Sequence, residues 1–248
     1  MSSKHHFATF GRYSHAIVVR VPDTFREGNN TQRARAKIEH EEFTKLLRSL
    51  DLDVLELQAD SSLPVSVYVG DTAFVVNGLF PFSLLYLFHD FLINYLFVLF
   101  FHNFPGTALI CRPGDCRSKE IEIIRSILNR ELDLAIMEIA DPKAKLDGGD
   151  ILYTGREIFV GVSVKTNLAG ALAVASAFPE FSVTPINVPN KVPTLKCCVS
   201  MAGPDIIAVS DSCEAKEILR VNFLVFFRRN LCLHFTYLLF FFDLAHRF

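Results

Sequence analysis

The chain has 248 residues, half of them hydrophobic, with 25 Lys and Arg set against 27 Asp and Glu. A net charge of −2 provides no basic surface of the kind that grips nucleic acid. Met1-Ser2-Ser3-Lys4-His5-His6 runs into polar sequence without an apolar h-region, and the six cysteines (Cys111, Cys116, Cys197, Cys198, Cys213 and Cys232) follow neither a disulfide framework nor a zinc spacing, so a cytoplasmic protein with reduced thiols, no metal and no cofactor is expected.

In chain order the first unit is a strand over 15–21, a helix over 31–50 and a strand over 54–57. A second strand pattern, 66–76, ends in Asn77-Gly78, and 107–112 reads as its partner. Between them lie 28 residues, 79–106, of foreign character. Without these residues Ala73-Phe74-Val75-Val76 would join Thr107-Ala108-Leu109-Ile110 through Asn-Gly, the dipeptide best suited to a two-residue hairpin turn with φ > 0 at both positions. A helix follows over 118–131, with Ser118 as its expected N-cap and Ile121, Ile124, Ile127, Leu128 and Leu132 on one face. Then come a strand over 134–139, a hairpin turning at Thr154-Gly155-Arg156, a helix over 167–178 and a strand over 182–188. A third copy opens with a strand over 196–201, in which Cys197 and Cys198 would face opposite ways. It turns at Gly203-Pro204-Asp205, continues over 206–209, and starts a helix near Ser212. Repetition of strand, turn, strand, helix and strand every 45–55 residues predicts a repeated α/β architecture.

Phenylalanine divides the chain into two kinds of text. Of 24 Phe, 8 lie in 79–106 and 8 in 221–248, leaving 8 for the other 192 residues. The run 79–101 is long enough to span a bilayer, but it carries His89, Asp90 and Asn94 inside, and Arg228-Arg229 splits the tail. A single span would also put the two halves of the hairpin on opposite sides of a membrane. Codon degeneracy offers another reading. Arg220-Val221-Asn222-Phe223 can be written with an intron-donor GTAAATTTT, Gly78-Leu79 with a second donor, and Phe104-Pro105-Gly106 with a pyrimidine-rich acceptor in matching phase. T-rich introns translate as Phe and Leu. The segments 79–106 and 221–248 are therefore expected to be retained-intron text, with a membrane-tethering helix as the alternative.

Four stretches carry a resemblance: Phe10-Gly11-Arg12 with Ser14-His15-Ala16; Leu146-Asp147-Gly148-Gly149-Asp150; Tyr153-Thr154-Gly155-Arg156-Glu157 with Phe159-Val160-Gly161; and Ser200-Met201-Ala202-Gly203-Pro204. Together they resemble the dimethylarginine dimethylaminohydrolases, enzymes of the pentein fold, over nearly all of 7–78 and 107–220. The resemblance implies a pentein-type α/β propeller of ββαβ units, incomplete here at about three and a half of five. It also implies hydrolysis of Nω-methylated arginines to citrulline and a methylamine through a Cys nucleophile, with a small-molecule substrate and no nucleic acid.

On that alignment Asp71 is a guanidinium-binding carboxylate and Asp147 the acid that orients the catalytic His. Arg117 falls near the clamp for the substrate α-carboxylate, and Lys165 stands where the family has a second Arg clamp. The His itself is replaced by Thr194, and the nucleophilic Cys belongs to a segment without a counterpart here. Nothing around Cys232 resembles its motif. Gly70 and Val65 replace two further acids. The resemblance thus implies an enzyme family and, for this chain, loss of turnover, with a non-catalytic binder of arginine-like ligands as the alternative. Sequencing of the cognate transcript is expected to show 79–106 removed and the frame beyond Arg220 running on to a Cys-bearing C-terminus. Abundant mature transcript retaining both segments would contradict this.

Overall fold

The computed structural model describes residues 14–25, 28–77, 99–101, 106–114, 117–203, 206–220 and 232–235. Phe10-Gly11-Arg12, Gly78, Cys116, Pro204-Asp205 and most of the two Phe-rich segments lie outside them.

Every unit is organised by one central strand that is buried on both faces. The first unit pairs β1 (His15–Val19) in parallel with β2 (Asp53–Leu57), after α1 (Asn30–Ser49). In the second unit β3 (Ala73–Asn77) runs antiparallel to β5 (Gly106–Ile110). After α2 (Ser118–Arg130), β6 (Ala135–Met137) adds in parallel. The third unit repeats this order with β7 (Ile151–Tyr153), β8 (Glu157–Val162), α3 (Leu168–Ala177) and β9 (Ser182–Asn187). The fourth has β10 (Val199–Gly203), β11 (Ile206–Ser210), α4 (Cys213–Ile218) and the parallel β12 (Cys232–Phe235). The α/β repeat expected from the sequence is thus present as four three-stranded sheets.

The expected hairpin register is also present. Val76 pairs with Thr107 and Ala73 with Ile110, and the last pair is Asn77 with Gly106. Both ends of the intervening segment therefore leave from adjacent positions of one sheet. Short strands arise within both Phe-rich segments: β4 (Leu99–Phe101) lies antiparallel on β1, and β12 lies on β11. Among the described residues no helix is long and apolar enough to cross a membrane.

The central strands read as unbroken apolar runs because each side chain set meets a different layer. Ala108 and Ile110 pack with Ile124 and Leu128 of α2 and with Ile17 and Val19 of β1. Leu109 points the other way, to Phe74, Ile158, Val160 and Val174. Phe159, between Ile158 and Val160, meets Leu195, Val199, Ile207 and Ile218. Each apolar layer thus joins one unit to the next, so a unit cannot bury both faces alone.

Several boundaries differ from the sequence expectation in one consistent way. The strands expected over 66–76 and 196–201 begin instead with 3₁₀ turns, Val69–Asp71 and Leu195–Cys197. A third turn, Gly148–Asp150, leads into β7. Alternating apolar residues could not reveal the first of these turns, because Val67 and Val69 are buried in it, as alternate residues of a half-buried strand would be. Cys197 therefore belongs to a turn and Cys198 caps it, rather than the two alternating on a strand. Ser118 is not the cap of α2. Arg117 occupies that position without a capping hydrogen bond, because its side chain is drawn into ion pairs. Asn167 caps α3 through the Gly170 N–H (3.0 Å), and Ser212 caps α4 through the Ala215 N–H (3.1 Å).

Gly170 gives a test of close packing. A Cβ there would lie 2.0 Å from the Lys145 carbonyl oxygen. Alanine improves helix propensity by about 0.8 kcal/mol, but the clash with a fixed backbone costs about 1–3 kcal/mol. Gly170→Ala is expected to lower the midpoint of urea unfolding. A raised midpoint would show that α3 moves freely off the loop bearing Lys145.

Candidate active site

The three 3₁₀ turns converge, and they bring the predicted site residues together. Gly148 makes the close approach possible: a Cβ at Gly148 would lie 2.0 Å from the Gly70 carbonyl oxygen, so only glycine lets the two turns touch. This contact sets Asp71 beside Asp147. Lys196, on the third turn, donates from Nζ to the Gly148 carbonyl (3.0 Å) and ties that turn to the other two.

Asp147 and Asp150 are wholly inaccessible to solvent and Asp71 is 3% exposed. Buried carboxylates must be hydrogen-bonded or paired, or they hold a proton. Asp150 is hydrogen-bonded. Ser163 Oγ donates to its Oδ2 (2.7 Å) and the Leu195 N–H to its Oδ1 (2.8 Å), which joins the loop after β8 to the third turn. Burial still pushes the Asp150 carboxyl up to about 6. Asp147 Oδ1 accepts the Gly149 N–H (2.8 Å), and its own N–H donates to Thr166 Oγ1 (3.0 Å). Its Oδ2 faces Lys165 Nζ at 3.3 Å.

Asp71 is paired on one oxygen only. Arg117 Nη1 donates to Oδ2 (2.8 Å), and Lys165 Nζ is 4.0 Å from that oxygen. Oδ1 is buried with no hydrogen-bond partner. Burial and the neighbouring Asp147 outweigh Arg117 and Lys165, and the Asp71 carboxyl rises to about 7. Asp71 lies in a turn, not on the expected inner strand. The turn is needed, because Arg117 Nη2 donates to the Tyr68 carbonyl (2.9 Å) while Nη1 holds the Asp71 side chain.

Every arm of the Arg117 guanidinium is engaged. Besides Asp71 and Tyr68, it meets Glu120 Oε2 through Nε (2.8 Å), and the residue is 5% exposed. In this arrangement Arg117 braces Asp71 from behind. The cation that faces outward is Lys165, whose side chain is 39% exposed. Burial lowers its pKa, but Asp147 and Asp71 more than reverse this, so Lys165 is held as an ammonium.

Thr194 lies on the same wall. A Cβ at Gly149 would be 2.9 Å from Thr194 Oγ1 and 3.0 Å from Asp147 Oδ1, so the Thr194 hydroxyl and the Asp147 carboxylate flank one glycine. Thr194 shares a hydrogen bond with Cys197 (3.4 Å), but burial pushes the Cys197 thiol up, and Cys111 further still. Neither is a ready thiolate. The described histidine side chains, His15 and His40, belong to β1 and α1. Among the described residues no group of His, Cys, Asp and Glu is arranged to hold a metal.

Asp150, Glu120 and Lys196 were not among the residues expected from the sequence. Asp150 had a visible signal, as the second acid of Leu-Asp-Gly-Gly-Asp. Glu120 lies three residues from Arg117, a spacing at which an ion pair can form within one helical turn, whereas Lys196 had no signal, since its partner is a carbonyl in another turn.

The raised Asp71 carboxyl has a signed consequence. Between its unfolded value near about 4 and its folded value of about 7, the folded chain binds more protons than the unfolded chain. Stability should therefore fall as pH rises through that window. Urea unfolding of wild type and Asp71→Asn is expected to show wild type losing stability relative to the variant as pH rises. Parallel pH profiles would show that Asp71 ionises as it does in water.

No protein-family model matches the chain. It is 34% identical to human DDAH2 over 221 residues, which cover 85% of this chain and 66% of that protein. It is 28% identical over 199 residues to the N(G),N(G)-dimethylarginine dimethylaminohydrolase of Streptomyces coelicolor, covering 77% of this chain and 65% of that one. The chain thus spans about two thirds of the length of these relatives. Among solved structures, a dimethylarginine dimethylaminohydrolase adduct with 4-chloro-2-hydroxymethylpyridine matches 90% of this chain and 76% of its own, with a TM-score of 0.65 at 18% identity. A mutant DDAH from Pseudomonas aeruginosa complexed with citrulline covers the same shares, 90% and 76%, with a TM-score of 0.61 at 17% identity. These structural likenesses show the fold, and with the sequence relatives they establish that the chain belongs to the dimethylarginine dimethylaminohydrolase family of the pentein fold.

Proposed function

We propose that this chain binds the guanidinium side chain of an arginine-like amino acid, methylated arginine foremost, and does not turn it over. The observation that carries this reading is the unpartnered Asp71 Oδ1, buried beside Asp147 at the meeting of the three turns. A delocalised planar cation is matched best by carboxylates in a dry site, where each charged hydrogen bond contributes about 1.5–3 kcal/mol. Membership of a family whose members' names specify dimethylarginine supports the same ligand class.

The chemistry of the described site supports the absence of turnover. Attack on a guanidinium carbon needs an activated nucleophile, a Cys thiolate in the chemistry that the resemblance implies, and departure of the amine needs a group that can donate a proton. The thiols of Cys111 and Cys197 are held protonated by burial, and position 194 offers a hydroxyl that neither accepts a proton near neutral pH nor orients through Asp147 as an imidazole would. Hydrolysis is the alternative that family membership favours. It would need a nucleophile and a base from outside the described site.

Isothermal titration of the chain with Nω,Nω-dimethyl-L-arginine is expected to give saturable binding, weakened about tenfold or more in Asp71→Asn. A parallel colorimetric assay is expected to show no citrulline. A folded chain that binds nothing would overturn the ligand assignment, and citrulline formation would overturn the absence of turnover.

A further inference from the structure

A buried acid site with an unmatched oxygen calls for a cation, and the chain carries one of its own. Lys165 Nζ stands 3.3 Å from Asp147 Oδ2 and 4.0 Å from Asp71 Oδ2. Its side chain is 39% exposed, while both carboxylates are buried, so the ammonium closes the acid pair from the solvent side. The other cations cannot exchange places with a ligand. Arg117 is fixed behind Asp71 by Glu120 and by the Tyr68 carbonyl, and Lys196 is held on the Gly148 carbonyl.

Lys165 is anchored at its root and free along its stem. Its N–H donates to Ser163 Oγ (3.0 Å), which itself donates to Asp150. The backbone is therefore part of the site, while four methylenes let the ammonium swing. Charge also matters. Asp71, Asp147 and Asp150 face Arg117, Lys165 and Lys196, and Glu120 answers Arg117 from its own helix. A further cation brought in beside an unmoved Lys165 would meet like charge in a low-dielectric site.

We propose that Lys165 is an internal surrogate for the ligand's cation. In the free chain its ammonium neutralises the Asp71–Asp147 pair. An arriving guanidinium takes that place, and the displaced ammonium turns outward to meet the ligand's carboxylate. The exchange conserves charge and involves no covalent step. It makes the site selective for a zwitterionic amino acid over a bare alkylguanidinium, because only the zwitterion offers the displaced ammonium a partner. This deepens the reading of the site given above and rests on it for the ligand class.

The test compares methylguanidinium, which has no carboxylate, with Nω-methyl-L-arginine. Both are titrated calorimetrically into wild type, Lys165→Met and Lys165→Gln, with thermal unfolding of each chain as a check on folding. Removal of the surrogate is expected to raise affinity for methylguanidinium about tenfold or more and to leave methylarginine with less advantage over it. Lys165→Arg, which keeps the charge, should behave as wild type. If wild type binds methylarginine and neither neutral variant gains affinity for methylguanidinium, the surrogate role is overturned and the ligand assignment stands. If wild type ignores methylarginine while the folded neutral variants take up methylguanidinium, the surrogate role stands and the ligand assignment falls. If neither probe binds any folded chain, both fall.

Discussion

Three carboxylates, Asp71, Asp147 and Asp150, are taken out of water at one point, and much of the architecture answers that single electrostatic demand. A buried ionised carboxylate is unfavourable unless hydrogen bonds or cations replace the lost hydration. Asp150 meets the demand with backbone and hydroxyl donors, and in doing so ties the loop after β8 to the turn before β10. Asp71 meets it only in part, on Oδ2 with Arg117, which reaches across from the start of α2, and the shortfall raises its carboxyl to about 7. Asp147 meets it with a turn N–H and with Lys165. The same contacts that satisfy the charges hold the units in register around the site.

The repeat explains how one chain concentrates such groups. Each of the last three units begins with a 3₁₀ turn leading into its first strand, and the apolar layers that join unit to unit hold those turns close together. The buried acids of the candidate site gather at the turns because the strands behind them are occupied as core. The central strands have no face to spare for chemistry.

Local features of this arrangement were legible in the sequence, and non-local ones were not. The pairing of Ala73–Val76 with Thr107–Ile110 was readable through the apolar runs flanking Asn-Gly, although the segment 79–106 separates them. The helix with periodic Ile and Leu after Arg117, and the helix start near Ser212, were readable for the same reason: each depends on neighbours within a turn. The 3₁₀ turns at Val69–Asp71 and Leu195–Cys197 were read as strand, since their apolar spacing is the same in both states. The turn Val69–Asp71 contacts a partner 46 residues away, Arg117 on Asp71, which apolar spacing does not register. Arg117 was expected near a clamp for a substrate carboxylate, but its burial and full set of partners make it a brace, which no spacing rule could reveal.

In the proposed reading Asp71 and Asp147 hold a guanidinium, while Thr194 stands on the wall where the resemblance implies a histidine. Recognition and turnover draw on different residues, so one can persist without the other. The most direct measurement is a crystal structure of the chain soaked with Nω-methyl-L-arginine. A guanidinium within hydrogen-bond distance of Asp71 Oδ1, with the ligand intact and Arg117 still on Oδ2, is expected. A ligand bound elsewhere, or an acid pair left unchanged at saturating ligand, would contradict the assignment of this site.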